Sequence, residues 1–331
     1  MTKNPYYSGP VSDHFDGTRF FIDGHEKPLG FRAAMKWSLN GQKQKWPPAT
    51  QPIFEDAPPA RVQGDELRVS YIGHATFLIQ TQGLNVLIDP VFSDRASPVQ
   101  FAGPKRVNPP GVALNNLPEI DVVLVSHNHY DHLDLASLKQ LHQAYAPRIL
   151  TPLGNDTILK KANPAFKVEA YDWHAQVQIS ADFAVHFEPA NHWSARSATD
   201  RFMALWCAFV LETKGGNIYH IADTGFGDGR IFDDVRQKHR AFRLAIIPIG
   251  AYEPRWFMKG QHVNPAESVA ILQKVGASQA IAHHWGTFQL TDEAIHAPLE
   301  ALHSALVAHD IDRARFLTPR PGQAVDIPHF K

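Results

Sequence analysis

The sequence predicts an α/β protein in which two mixed β-sheets pack face to face and helices flank both outer sides. From Leu67 onward, short runs rich in apolar and β-branched residues alternate with turns, as is typical of strands. Several runs, such as residues 122–125, are continuously apolar, which indicates strands covered on both faces. Clustered strands followed by alternating strands and helices occur in both halves of the chain, and this order favours a sandwich of two sheets.

The individual elements follow from apolar spacing and from capping residues. Asp134 is a residue type that caps helix N-termini, and leucines at helical spacing follow it. The pair Asn264-Pro265 combines a cap with a proline at the first helical position. The three predicted helices span residues 134–145, 264–275 and 292–307. The eleven predicted strands span residues 67–72, 76–80, 85–89, 122–126, 148–151, 168–171, 183–187, 206–212, 217–222, 244–248 and 279–282.

Residues 1–65 differ in composition from the rest of the chain. They contain scattered aromatic residues and the proline pairs Pro47-Pro48 and Pro58-Pro59. Proline fixes its own φ angle and lacks a backbone donor, so such pairs suppress regular structure. We therefore expect an extended N-terminal arm over residues 1–65 that wraps one domain formed by residues 66–331.

The overall composition is that of an ordinary globular protein. Of 331 residues, 44% are hydrophobic and 20% are charged, and the formal net charge of −1 argues against a nucleic-acid partner. A single cysteine, Cys207, excludes intrachain disulfides and all-cysteine zinc sites. We recognise neither a signal peptide nor a membrane-spanning run. We therefore expect a cytoplasmic protein and leave open a peripheral association with the inner face of the membrane.

The strongest chemical signal is a cluster of histidines and an aspartate directly after the apolar run at residues 122–125. The cluster reads Ser126-His127-Asn128-His129-Tyr130-Asp131-His132. In an extended loop His127 and His129 point to the same side, while Asp131 and His132 can face a second centre. Imidazole and carboxylate groups are a typical ligand set for zinc and also suit manganese and iron. A polar surface loop is the alternative, and the position after a buried strand argues against it.

Three more candidate ligands, His192, Asp223 and His284, follow other predicted strands. Each alone could be structural, but four strand ends that present only histidine and aspartate indicate one shared pocket. His283 is an alternative to His284 that residue spacing does not exclude. The expected ligands of one metal are His127, His129 and His192, those of the second are Asp131, His132 and His284, and the expected bridge between them is Asp223.

The His-X-His-X-Asp-His pattern of this cluster resembles the metallo-β-lactamase superfamily. More narrowly, the chain is similar to N-acylphosphatidylethanolamine phospholipase D and its bacterial homologues over roughly residues 67–290. The stretch from Pro248 to Pro265 discriminates most strongly, because metal binding does not require it. The matching stretches are residues 72–76, 89–93, 127–134, 191–196, 222–225, 248–258, 261–265 and 284–288.

The resemblance implies a metallo-β-lactamase αββα sandwich and a two-metal phosphodiesterase of the phospholipase D type. Such an enzyme splits N-acylphosphatidylethanolamine into phosphatidic acid and an N-acylethanolamine, by attack of a metal-bridging hydroxide on phosphorus. It uses two Zn²⁺ ions, for which Mn²⁺ or Fe²⁺ are alternatives here. The resemblance favours His284 over His283 and offers His262 to assist the leaving alkoxide. The expected catalytic residues are Asp131, Asp223 and His262.

Four further residues of the matching stretches have less specific expectations. We expect His74 and Asp89 to orient the imidazoles that bind metal, with simple core or turn roles as the alternative. Arg196 and Arg255 are candidates for attracting a phosphate, although surface arginines are common.

Two other functions stay open. The same site could serve a lactonase, or a phosphodiesterase that acts on nucleotides or RNA, because a fold alone does not specify a substrate. A lipid-binding, membrane-associated protein without activity is the non-enzyme alternative, and the presence of all seven expected ligands argues against it. The expected partner is a phospholipid substrate at a membrane surface, and a homodimer is left open.

Overall fold

Two seven-stranded sheets form the centre of the computed structural model, which describes residues 3–24, 29–50 and 54–329. The strands of the first sheet are β1 (Arg68–Gly73), β2 (Thr76–Thr81), β3 (Leu84–Ile88), β4 (Val122–Leu124), β5 (Arg148–Pro152), β6 (Lys167–Tyr171) and β14 (Gln323–Asp326). Those of the second sheet are β7 (Gln176–Ser180), β8 (Phe183–Glu188), β9 (Ala208–Thr213), β10 (Asn217–His220), β11 (Phe242–Pro248), β12 (Gln279–His283) and β13 (Phe316–Leu317).

Both sheets are mixed. The strand orders are β14-β1-β2-β3-β4-β5-β6 and β13-β12-β11-β10-β9-β8-β7. In the first sheet β3 to β6 are parallel, and in the second β10 to β13 are parallel. The α-helices are α1 (Phe31–Asn40), α2 (Leu135–Tyr145), α3 (Asn155–Ala162), α4 (Arg230–His239), α5 (Arg255–Met258), α6 (Pro265–Val275) and α7 (Ala297–Ala308).

Alternate residues of the central strands serve two different cores. Leu244 and Ile246 of β11 lie in the buried cluster between the sheets, whereas Ala245 and Ile247 lie in the cluster under α4, α6 and α7. A third cluster joins the first sheet to α2 and α3. Each fully buried aliphatic side chain contributes about 1.5–3 kcal/mol to folding. This layering confirms the predicted sandwich and explains why the central runs are continuously apolar.

The N-terminal segment lies against several parts of the domain. Phe15 and Phe20 are buried in the cluster under α4 and α6. Further along, Trp37 Nε1 donates a hydrogen bond to Asp292 Oδ1 at 2.9 Å, and Trp46 Nε1 donates to Glu293 O at 2.9 Å. The expectation of an extended chain is wrong at α1, which forms ten residues of helix inside this segment.

Several other elements differ from the sequence prediction. The last helix begins at Ala297 rather than at residue 292. The sequence prediction omitted α3, α4, α5 and the edge strands β7, β13 and β14. Within the described ranges, every helix is too short or too polar to cross a membrane.

Candidate metal centre

The loop after β4 brings three imidazoles together with the Asp223 carboxylate. His127 Nε2 lies 2.9 Å from His129 Nδ1, and His192 Nε2 lies 3.2 Å from the same atom. Asp223 Oδ2 is 3.9 Å from His127 Nε2 and 3.6 Å from His192 Nε2. These four side chains form a first ligand group, whose donor atoms all lie within 4.8 Å of one another.

A second group shares Asp223 with the first. Asp131 Oδ2 lies 3.5 Å from His132 Nε2 and 3.2 Å from His284 Nε2. Asp223 Oδ2 lies 3.2 Å from the Nε2 atoms of both imidazoles. The structure therefore brings all seven sequence-predicted ligands into one pocket, with the Asp223 carboxylate beside both groups.

The spacing of these donor atoms fits divalent metal ions. Ligand bonds of 2.0–2.1 Å in a tetrahedral zinc site place neighbouring donors about 3.3 Å apart. The separations of 2.9–3.9 Å bracket that value. In addition, Asp223 Oδ1 is buried and has no hydrogen-bond partner among the described residues. Since a buried carboxylate oxygen normally has a partner, a cation beside Asp223 would supply the missing interaction.

The imidazoles of the first group are electrically neutral. Burial lowers the pKa of His129 to about 3 and that of His192 to about 4, and it holds the pKa of His127 well below its usual range. A neutral imidazole has a free lone pair on one ring nitrogen, which is the form that binds metal. These three side chains are therefore ready to act as ligands at neutral pH.

In the second group the pKa values of the imidazoles are raised rather than lowered. Burial opposes a proton on His284, but the nearby carboxylates of Asp223 and Asp131 raise its pKa to about 9. The same carboxylates raise the pKa of His132 well above its usual range, against burial. Although burial opposes ionisation, the surrounding imidazoles hold the pKa of both aspartates well below its ordinary value. A divalent cation would replace the imidazole protons, so its binding would release protons.

Asp89 fixes the orientation of His132, as expected from the sequence. Asp89 Oδ2 accepts a hydrogen bond from His132 Nδ1 at 2.8 Å and another from Ser126 Oγ at 2.6 Å. Its second oxygen accepts from Ser126 N at 2.7 Å. Because Asp89 holds a proton on Nδ1, His132 would bind a metal through Nε2 once the cation has displaced the Nε2 proton. In the same way, His192 Nδ1 lies 3.0 Å from the backbone oxygen of Gln261.

His74 contacts a carboxylate rather than the imidazole that we expected it to orient. Its Nε2 atom lies 2.9 Å from Asp131 Oδ2, and its ring packs 4.1 Å from that of His284 between centroids. Burial lowers the pKa of His74 to about 3, so the neutral ring donates one hydrogen bond to Asp131. His74 thereby orients the carboxylate of the second group.

Four residues at strand ends around the pocket have left-handed backbone conformations. They are His74 (φ 57°), Asp89 (φ 41°), Ala222 (φ 56°) and His284 (φ 60°). Each such residue other than glycine costs about 1–3 kcal/mol and persists only where its surroundings enforce it. At these positions the chain turns sharply at the end of a strand, which directs the neighbouring side chains into the pocket.

His262 lies at the rim of both groups. Its Nε2 atom is 4.0 Å from Asp223 Oδ2, and its ring lies 5.2 Å from those of His192 and His284. Burial holds the pKa of His262 well below its usual range. Its Nδ1 atom is buried without a hydrogen-bond partner among the described residues. The ring therefore lies beside candidate ligands of both groups, with 10% of its side chain exposed.

The two candidate phosphate-binding arginines are engaged with the protein. Arg196 Nη1 donates hydrogen bonds to the backbone oxygens of Asn128 and Leu133, both at 2.9 Å. Arg255 Nη2 contacts both carboxylate oxygens of Glu267 at 2.8 and 3.0 Å. Arg196 therefore holds the loop that carries the candidate ligands after β4, and Arg255 anchors the start of α6. Both side chains thus have partners within the protein, and their role in attracting a phosphate stays a prediction.

His283 lies away from the pocket, which resolves the alternative at this strand end. Its ring stacks on His220, with centroids 5.2 Å apart and an interplanar angle of 29°, while His284 Nε2 reaches both aspartates. The geometry therefore favours His284, as the family motif does. His220 had no signal in the sequence, because only the packing between β10 and β12 brings it beside His283.

Comparisons with known proteins identify the family of this chain. A model of the β-lactamase superfamily domain matches residues 84–285. N-acyl-phosphatidylethanolamine-hydrolyzing phospholipase D 1 of Caenorhabditis elegans is 32% identical over 98% of this chain and 96% of its own length. The chain belongs to the N-acylphosphatidylethanolamine phospholipase D family of the metallo-β-lactamase superfamily. The mitochondrial yeast member of this family, from Saccharomyces cerevisiae, is 33% identical over 70% of this chain and 50% of its own length.

More distant relatives support the same class. A metal-dependent hydrolase of Pyrobaculum neutrophilum is 26% identical over 79% of this chain and its own full length. The structure of isothiocyanate hydrolase from Delia radicum gut bacteria shares the fold, with a TM-score of 0.63 and 19% sequence identity. The match covers 78% of this chain and 99% of the chain of that hydrolase. The predictions of a metallo-β-lactamase fold and of a metal-dependent hydrolase are thus confirmed.

Proposed function

We propose that this protein is a two-zinc phosphodiesterase that hydrolyses N-acylphosphatidylethanolamine-type phospholipids to phosphatidic acid and N-acylethanolamine. The observation that carries the proposal is the pair of ligand groups that share Asp223, in a chain related over nearly its full length to an enzyme named for this reaction. Zinc suits the mixture of imidazole and carboxylate donors, and manganese or iron would accept the same ligands.

In the proposed assignment, the first metal is bound by His127, His129 and His192, the second by Asp131, His132 and His284, and Asp223 bridges the two. Asp223 Oδ2 is 3.2–3.9 Å from imidazole nitrogens of both groups, and its Oδ1 atom has no hydrogen-bond partner among the described residues. Two divalent ions, once bound, supply an activated water and polarise a phosphoryl oxygen. Asp131 and Asp223 hold the negative charge that this chemistry requires.

His262 is the residue that we assign to the leaving group. The alkoxide expelled from phosphorus needs a partner that donates to it, and the neutral imidazole of His262 has one N–H group to donate as a hydrogen bond. His262 Nε2 lies 4.0 Å from Asp223 Oδ2, which brings this ring beside a ligand that contacts Asp223. Arg255 Nη1 donates to the backbone oxygen of His262 at 2.8 Å, which fixes the loop that carries this ring.

A lipid substrate requires access from a bilayer, and an apolar surface lies beside this loop. Met35 and Leu39 of α1 and Trp256 of α5 are 48%, 79% and 49% exposed. Apolar side chains beside a basic residue such as Lys36 favour binding at a membrane interface. We expect Leu39→Ser to reduce cosedimentation with phospholipid vesicles, while Val307→Ser on α7 leaves it unchanged; equal binding of both variants would contradict this assignment. A homodimer and a cytoplasmic location stay predictions.

The test is mass-spectrometric analysis of products from N-acylphosphatidylethanolamine in mixed micelles with zinc-loaded protein. We expect phosphatidic acid and N-acylethanolamine from the wild type and from Asp228→Ala. Asp228 is exposed, lies five residues after Asp223 and pairs with Arg230. Asp223→Ala should abolish turnover and lower metal content.

Two outcomes would overturn different parts of the proposal. Turnover close to that of the wild type in Asp223→Ala would refute the two-metal assignment. A wild-type protein that holds two metals but releases no product would refute the substrate, and lactones and nucleotide diesters would be tested next. Vesicle binding without hydrolysis of any of these substrates would favour the non-catalytic alternative.

A further inference from the structure

A second cluster of potential ligands lies on the outer face of the second sheet, between β8 and α4. His186 and Glu188 are two residues apart on β8 and therefore project from the same face. His239 is the last residue of α4, and its Nε2 atom lies 2.7 Å from Glu188 Oε1. One donor atom from each of these three side chains lies within 4.8 Å of the others. None of the three belongs to the centre around Asp223.

These three side chains are more deeply buried than ionisable side chains usually are. The Glu188 side chain is 1% exposed, that of His239 is 5% exposed, and that of His186 is 9% exposed. Burial opposes ionisation of Glu188, but hydrogen bonds from its imidazole neighbours and from Lys238 hold its pKa well below the usual range. The cluster thus keeps a buried negative charge beside two imidazoles.

The surroundings of the cluster provide further elements of a metal site. Glu212 Oε2 lies 2.7 Å from His186 Nε2, so a carboxylate orients this ring as carboxylates orient ligand imidazoles elsewhere. His174 Nδ1 lies 3.2 Å from Glu188 Oε2 and adds a third imidazole at the edge. The positive charge that now balances Glu188 is Lys238 Nζ, at 2.7 Å from Oε1.

We propose that His186, Glu188 and His239 form a third divalent-cation site, of the kind that binds zinc. Lys238 is the cation that competes with the metal for Glu188, and His174 is the fourth ligand. Two or three imidazoles with one carboxylate are a donor set that zinc prefers and that calcium and magnesium do not. Lys238 is 39% exposed at its side chain and His174 is 64% exposed, so the first can leave and the second can turn inward without disturbing the core. The ion would join β8 to the end of α4, although these two elements are far apart in the chain.

The proposal is tested by counting zinc ions per chain with native mass spectrometry during a zinc titration of the full-length protein. We expect three ions in the wild type and two in the double variant His186→Gln/His239→Gln. His303→Gln is the matched control, because His303 is exposed on α7, and it should retain three. Lys238→Met keeps every proposed ligand and removes the competing charge, so it should bind the third ion at least tenfold more tightly and raise Tm further on zinc addition.

Each other result contradicts the site. Two ions in both the wild type and Lys238→Met would show that the cluster is only an ion-pair network. Three ions in the double variant would show that the third ion binds elsewhere on the surface. If the double variant fails to fold, Lys238→Met alone decides, because unchanged zinc affinity in that variant refutes the competition that the proposal requires. The counts of three and two rest on the two-metal centre proposed above, but the loss of one ion in the double variant relative to the wild type tests the third site whatever number that centre binds, and no count needs turnover.

Discussion

Replacing Asp89 by asparagine isolates the control of one ligand imidazole. Asparagine has the shape of aspartate and tolerates the left-handed φ of 41° at this position. Its amide oxygen can still accept from Ser126 N, as Asp89 Oδ1 does at 2.7 Å. The amide nitrogen, however, would face His132 Nδ1, which now donates a hydrogen bond to Asp89 Oδ2 at 2.8 Å.

Two donors cannot share that contact, so the His132 proton would move to Nε2 or the hydrogen bond would break. Nε2 is the atom that lies 3.2 Å from Asp223 Oδ2, and a proton there removes its lone pair from a metal. Loss of such an orienting carboxylate weakens metal binding by about 10–100-fold, which corresponds to about 1.4–2.7 kcal/mol. We expect this loss for Asp89→Asn, measured by chelator competition with zinc.

Asp134→Asn is the matched control. Asp134 is also a buried carboxylate of this region, but its hydrogen bonds go to backbone amides such as Ala136 N and to Ser137 Oγ. Both variants should lose on the order of 2–3 kcal/mol of unfolding free energy, because both remove hydrogen bonds to a charged group. Only Asp89→Asn should lose zinc affinity. Wild-type zinc affinity in Asp89→Asn, or an equal loss in Asp134→Asn, would refute the reasoning.

Two further predictions concern other parts of the structure. In Gly250→Ala the new Cβ would clash with the backbone oxygen of His284, so this strand end must shift and the zinc content should fall. The control is Gly30→Ala, where the new Cβ meets open space and the zinc content should be unchanged. Unchanged zinc content in Gly250→Ala would contradict the assignment of His284. The pKa of Glu188 is lower in the folded state than in the unfolded state, where it is about 4.3. The ionised side chain therefore stabilises the fold above about pH 4.3, and this stabilisation is lost as the pH falls toward the folded-state pKa. In metal-stripped protein, Glu188→Gln should therefore reduce the free energy of unfolding at pH 7 and flatten its decline below about pH 5. The measurement is a series of denaturant titrations at different pH values. A free energy of unfolding that depends on pH as in the wild type would contradict this prediction.

The parts of the fold that the sequence predicts are those where burial leaves a regular pattern. The central strands are apolar on both faces, and α2 and α6 begin at side chains that cap their N-termini, Asp134 and Asn264. The elements that were missed have weaker patterns. The edge strand β7 buries one residue of five, and α4 is strongly charged, although Phe232 and Val235 show a helical spacing that could have identified it.

The ligand groups were predictable because successive strand ends present histidine and aspartate, and because one loop supplies four of these residues. His74 was harder to assign, since its partner Asp131 lies 57 residues away in the chain and only the packing of the sheets brings the two together. The cluster around Glu188 had no local signal for the same reason. His239 is 51 residues from Glu188, and α4 had not been predicted.

The division of the ligands between the two sheets links metal supply to the lifetime of the folded chain. His127, His129, Asp131 and His132 follow a strand of the first sheet, whereas His192, Asp223 and His284 follow strands of the second. In the proposed assignment each ion takes ligands from both sides and acts as a non-covalent cross-link between the halves of the sandwich. A ligand that binds only the folded state stabilises it by about 4 kcal/mol at 1,000 times its Kd. In the proposed assignment, removal of the two ions would therefore favour the unfolded chain, which proteases cleave, as well as abolish activity.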